Sequence, residues 1–236
     1  MIYVALDVPT TDEAIAIVDE LAPENRFVKV GMELYYRGGN ELVQVLQEKG
    51  CRIFLDVKMT DIPNTVYKAT KQLAQLHVDF ITICANGGVE MMKRAREAVE
   101  EVQGENPTTK LLAVTLLTSM EENMLRETFQ TELSPEEWVA HQTRLAKQAG
   151  VGGIVCSVWE SDRVRALYPE ATIVTPGIRL QADASHDQKR VATPEEAGRR
   201  ESDHLVVGRS ITGKLNRNEA YETMLEAFEQ GRGVRS

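Results

Sequence analysis

Eight short, β-branched, mostly apolar runs recur along this chain, and most are followed by a segment of helical periodicity. No other feature restricts the fold so strongly. The runs fall at 3–6, 27–30, 53–55, 79–84, 111–116, 153–155, 172–174 and 204–207. Strands apolar on both faces belong to a buried parallel sheet, which is covered on each side. The intervening helices carry start and stop signals. Thr10-Thr-Asp-Glu13 reads as a capping box ahead of Ala14, Ile17, Val18 and Leu21 at helical spacing. Ser134-Pro-Glu-Glu137 opens a second helix, with Gly150 just past its end, and Thr193-Pro-Glu-Glu196 repeats the signal. Further helices are expected at 40–48, 66–76, 88–102, 161–167 and 218–230, with a short one at 121–128. Eight strand–helix units in 236 residues predict an α/β fold of one domain spanning 1–236, a (β/α)8 TIM barrel. A doubly wound open sheet is the alternative, but it usually carries a glycine-rich turn after its first strand, and none follows Leu6.

The barrel reading says where to look for chemistry, because such sites form at the C-terminal ends of the strands. Asp7 ends the first strand and Lys29 lies in the second, within Phe-Val-Lys-Val-Gly. The third runs into Asp56, Lys58 and Asp61; the fifth leads to Thr118 and Ser119. The seventh leads to Thr175, Arg179 and, across a connection at 177–191, Gln188; the eighth ends in Gly208 and Arg209. A lysine between Val28 and Val30 is expensive to bury unless its charge is opposed. Asp56 and Lys58 are two apart and face the same way if the strand continues. Two lysines and two aspartates alternating in charge hold one another ionised, and offer an ammonium as general acid beside a carboxylate. The alternative is a salt-bridge cluster that plugs the barrel end. Gly208-Arg209 fits a phosphate site, since the turns after strands seven and eight often present backbone N–H groups to phosphate and arginine adds a planar donor fork. A surface arginine bonded to a carbonyl is the alternative. The connection at 177–191 has no periodicity and reads as a lid over the active face.

Other features exclude more than they assign. Lys and Arg total 27 against 36 Asp and Glu, a formal charge of −9, which argues against nucleic-acid and anionic-membrane partners. No apolar run approaches the ~18 residues of a membrane span, and the opening lacks the basic and long apolar regions of a secretory leader. A cytoplasmic protein is expected. Cys51, Cys84 and Cys156 form no CxxC pair, and His77, His141, His186 and His204 are scattered, so no metal site is expected. Trp138 fits a helix core face. Trp159 follows the sixth strand and is read as packing, with flanking of the pocket as the alternative.

These segments resemble the orotidine 5′-phosphate decarboxylase family. The most specific is Phe54-Leu-Asp-Val-Lys-Met-Thr-Asp-Ile-Pro-Asn-Thr65, similar to the family's D-x-K-x-x-D-I-P-N-T signature. Leu112-Ala-Val-Thr-Leu-Leu-Thr-Ser119, Val174-Thr-Pro-Gly-Ile-Arg179, Asp187-Gln-Lys-Arg190 and Val206-Val-Gly-Arg209 resemble further blocks in the right order. The resemblance implies cofactor-free decarboxylation of orotidine 5′-phosphate to UMP by a homodimer. It implies that Lys29, Asp56 and Lys58 form a charge network completed by Asp61 from the partner subunit, with Lys58 protonating C6 and Asp56 beside the substrate carboxylate. Asp7 and Lys29 would hold ribose hydroxyls with Thr65 nearby. Thr118 and Ser119 would meet the ribose or base, and Pro176 the ring. Arg179, Gln188, Gly208 and Arg209 would hold the phosphate. The chain departs from the family's usual histidine at Thr60, Cys84 and Trp159, and from its usual proline at Ser210; Cys84 is expected to line the barrel near the pocket. The nearest rival is a metal-dependent sugar-phosphate decarboxylase or aldolase on the same kind of barrel, whose second strand carries an acid where this chain has Lys29. A non-catalytic nucleotide-binding barrel and a purely structural barrel are the others.

Overall fold

The structure is a computed structural model that describes residues 1–180 and 191–233. Eight parallel strands close into a barrel in chain order: β1 Ile2–Ala5, β2 Phe27–Gly31, β3 Arg52–Met59, β4 Phe80–Cys84, β5 Lys110–Val114, β6 Gly153–Val155, β7 Thr172–Thr175 and β8 His204–Val207. The helices are α1 Thr11–Asp19, α2 Met32–Glu48, α3 Pro63–Ala74, α4 Gly88–Gln103, α5 Glu122–Phe129, α6 Pro135–Ala149, α7 Ser161–Leu167, α8 Pro194–Arg199, α9 Arg209–Thr212 and α10 Arg217–Gly233. The single (β/α)8 domain is the expected one.

The end signals act as their chemistry requires. Thr10 and Thr193 accept from the backbone N–H of Glu13 and Glu196. Ser134 and Glu137 complete a reciprocal capping box at the start of α6, and Gly150 closes that helix in the left-handed conformation. Several boundaries shift by one to three residues, as in α3 and β5, and three elements differ in kind from the sequence expectation. Helix α2 begins at Met32 rather than at residue 40 and is kinked at Gly39, whose φ of 55° and ψ of −153° suit glycine alone. Strand β3 runs on to Met59. A short helix, α9, follows β8 directly.

Alternation along the strands builds two apolar layers. Ile2, Val4, Val28, Val30, Ile53 and Leu55 point outward into the core shared with the helices. The opposite face turns Tyr3, Ala5, Phe54, Phe80, Leu112 and Val206 into the barrel. At its N-terminal end Tyr3 meets Phe27, Phe54, Phe80 and His204 edge-on or tilted, with ring centroids 5.4–5.8 Å apart. This aromatic layer fills the bottom, as barrel interiors are filled. Among the described residues, no helix is long and apolar enough to cross a membrane.

Candidate active site

Above that layer, at the C-terminal mouth, lies a cavity of about 600 Å³. Its floor is set by strand register. Phe27 and Lys29 share the inward face of β2, so the lysine sits one layer above the aromatic ring, and only 7% of it is exposed. A charge so placed needs partners. Lys29 Nζ stands 2.9 Å from Asp7 Oδ1, just past β1, and 3.6 Å from Asp56 Oδ2 on β3. Lys58 Nζ stands 2.8 Å from the same Asp56 oxygen. The groups therefore run Asp7–Lys29–Asp56–Lys58, alternating in sign. Burial opposes ionisation of Asp56, but the Lys29 and Lys58 ammoniums and the hydrogen bonds from Lys58 and Thr82 outweigh it and hold the carboxyl below its ordinary range.

Asp56 and Lys58 meet, but not along a regular strand. Leu55 pairs with Ile81 and Met59 with Ile83, so β3 advances four residues while β4 advances two. Lys58 lies inside this bulge with φ of 46°, a region that side chains rarely adopt. Bulges re-aim side chains next to sites, and this one brings the ammonium back over the carboxylate. Thr82, fully buried on β4, donates to Asp56 Oδ1 at 3.0 Å and accepts from the Lys58 N–H at 2.8 Å. Sequence reasoning missed Thr82. The available signal was a hydroxyl inside the apolar run Phe-Ile-Thr-Ile-Cys, opposite the charged strand.

The cavity also takes in Thr118, Pro176, Arg179, Gly208 and Arg209 from the mouths of β5, β7 and β8. Arg179 is anchored by its N–H to Ala192 O at 3.0 Å, and Ala192 N–H donates to Gly177 O at 3.1 Å, so the two ends of the 177–191 connection are stitched together. Gln188 and the rest of 181–190 lie outside the described residues, as does His186. Asp61, Thr65 and Ser119 are exposed and do not line the cavity of this chain. The Asp61 carboxylate accepts from the next backbone N–H, that of Ile62, at 2.7 Å.

Cys84 is not a wall of the cavity: its thiol donates to Lys58 O at 3.4 Å, and burial pushes its pKa up, which keeps the proton on sulfur. Trp138 packs against the core and donates to Thr115 O at 3.2 Å. Trp159 neither packs in the core nor borders the cavity; it is 44% exposed, beneath the Arg200 guanidinium. Among the described residues no group of three His, Cys, Asp or Glu side chains converges as a metal site would.

Known proteins share this architecture along almost the whole chain. The model of the orotidine 5′-phosphate decarboxylase / HUMPS family matches residues 1–224. An orotidine 5′-phosphate decarboxylase of Fusobacterium nucleatum is 45% identical over 231 residues, covering 98% of this chain and 96% of its own. One from Bacillus cytotoxicus is 45% identical over 230 residues, covering 97% of each. The crystal structure of the Lactobacillus acidophilus orotidine 5′-phosphate decarboxylase superposes with a TM-score of 0.85 at 37% identity, over 96% of this chain and 98% of that one. Matches of this extent leave one assignment for the barrel and its charged mouth: the chain belongs to the orotidine 5′-phosphate decarboxylase / HUMPS family.

Proposed function

We propose that this protein converts orotidine 5′-phosphate to UMP and CO2 in de novo pyrimidine biosynthesis, as a cofactor-free carboxy-lyase acting in a homodimer. The observation that carries the reading is the alternating array Asp7–Lys29–Asp56–Lys58, at one side of a cavity that also takes in Arg179 and Arg209. The named relatives support the substrate.

Loss of CO2 from C6 leaves an electron pair that the pyrimidine ring delocalises poorly. A fixed ammonium at that carbon stabilises the pair without reorganising. In this reading the C6–carboxylate bond breaks, its electrons stay on C6, and the proton passes from Lys58 Nζ to that carbon. Solvent then returns a proton to the amine. Asp56 lies beside the departing carboxylate and keeps Lys58 charged and aimed. Lys29 keeps Asp56 ionised and, with Asp7, holds the ribose hydroxyls. Pro176 packs on the ring, and Thr118, which lines the cavity, meets the ribose or base. The phosphate is gripped by Arg179, Arg209 and the Gly208 backbone, with Gln188 from the connection at 177–191 acting as a lid. Binding energy from this remote group is available for positioning at C6. Asp61 enters from the partner subunit to complete the array, with Thr65 beside it. Exposure of Asp61, Ile62 and Thr65 beside the mouth supports that arrangement.

The donor set also bears on the metal-dependent rival. Lys29 stands between Asp7 and Asp56, so a protein cation already spans the carboxylates that a divalent ion would use. The test is the ultraviolet absorbance change when orotidine 5′-phosphate is added to the protein in excess EDTA. Conversion to UMP supports the proposal. A folded protein that converts nothing in EDTA, but turns over a phosphorylated keto sugar with Mg2+, would replace it with the rival.

A further inference from the structure

The bulge in β3 poses a local problem. Between Leu55 and Met59 the ladder to β4 is broken, so Lys58 is left without a regular strand partner for its backbone. It also sits at φ of 46°. A side chain in that region is strained by about 1–3 kcal/mol and persists only when its surroundings over-determine it. Here the surroundings are two side chains of β4. Thr82 Oγ1 accepts from the Lys58 N–H at 2.8 Å, and the Cys84 thiol donates to the Lys58 carbonyl at 3.4 Å. Both backbone polar groups of Lys58 are thereby held from the neighbouring strand.

Thr82 does more than fill the gap. A hydroxyl has one proton to give, and here it goes to Asp56 Oδ1 at 3.0 Å, while Lys58 Nζ takes Oδ2 at 2.8 Å. The two oxygens of Asp56 are thus assigned to different donors, which fixes the carboxylate plane. One fully buried side chain controls the backbone of the lysine and the rotamer of the aspartate. We infer that Thr82 is a positioning residue for the reaction proposed above: its hydroxyl aims Asp56 and Lys58 at the reacting carbon without touching substrate. The inference rests on that reaction for its kinetic consequence, though not for its geometry. Misplacement of catalytic groups by an ångström is enough to lower a rate about 100-fold.

The test uses two variants of the full chain. Thr82→Val keeps the branched shape and removes the hydroxyl; Thr82→Ser keeps the hydroxyl and removes a methyl. With orotidine 5′-phosphate as substrate, Thr82→Val is expected to lose about 10- to 100-fold in kcat with KM within about threefold of the parent, and Thr82→Ser to recover most of that loss. A Thr82→Val enzyme with parental kcat would overturn the inference. So would equal losses in both variants, or a loss confined to KM, because these would report shape or binding rather than aim. Amide hydrogen exchange at Lys58, read by NMR, tests the clamp without any substrate. It should accelerate in Thr82→Val and stay at the parental rate in Thr82→Ser; no acceleration in Thr82→Val would refute the clamp. If the parent protein leaves orotidine 5′-phosphate unchanged, the substrate assignment fails, and the exchange rates alone decide the role of Thr82.

Discussion

In the proposed reaction single side chains carry the chemistry, and their legibility depends on how improbable they are. A lysine between two valines, and an Asp-x-Lys pair at a strand end, are costly unless they serve one another, so Lys29, Asp56 and Lys58 could be read from composition against pattern. Thr82 could not, because a threonine in a strand is unremarkable until its hydroxyl is seen between two charges. Removing the ammonium should be decisive for turnover and mild for the fold. Lys58→Ala is expected to unfold at a denaturant midpoint near that of the parent while turnover of orotidine 5′-phosphate falls below detection; near-parental turnover would remove Lys58 as the proton donor. At the other end of the barrel, burial lowers His204 from 6.5 to about 4, and its Nδ1 has no hydrogen-bond partner among the described residues. A group whose folded pKa lies below its unfolded value binds protons more readily when unfolded, so stability falls as pH drops from about 6.5 to 4. Between pH 7 and pH 5 this group should remove on the order of 2 kcal/mol. Urea titrations at both pH values should show a smaller difference for His204→Phe; an unchanged difference would mean that other groups govern the acid side.

Elements were legible where periodicity was long and caps were present, as in α1 and α6. They were misread where the backbone does something local. The sequence predicts only residues 40–48 of α2; the structure uses Gly39 as a kink within a helix that starts eight residues earlier. A Cβ at Gly39 would meet no atom within 4 Å, so Gly39→Ala tests conformation alone. It should cost about 1–3 kcal/mol in denaturant unfolding. A neutral result would show that the kink relaxes without strain. In β3, alternation put Asp56 and Lys58 on one face, which is where they are, but the backbone reaches that result through a bulge that no two-residue period contains.

At the scale of the molecule, the closed barrel follows from eight repeated units, whereas the proposed dimer rests on the resemblance and on a few exposed side chains. The exposed residues Met32, directly after β2, and Asp61, Ile62 and Thr65, shortly after β3, do not line the cavity of their own chain. If Asp61 serves the neighbouring subunit, two inactive proteins can repair each other. Mixed dimers of Lys58→Ala and Asp61→Asn chains contain one site with both native residues and one with neither. Random re-pairing should restore roughly a quarter of parental activity by site counting. No recovery from re-paired chains would place Asp61 outside the partner's site.

The central claim is that the protein replaces CO2 by a solvent-derived proton at C6 of orotidine 5′-phosphate without metal. Its most direct test is the proton NMR spectrum of product formed from orotidine 5′-phosphate in D2O with excess EDTA. The account predicts UMP bearing deuterium at C6, with one CO2 released for each. Unconverted substrate in the presence of folded protein would contradict it.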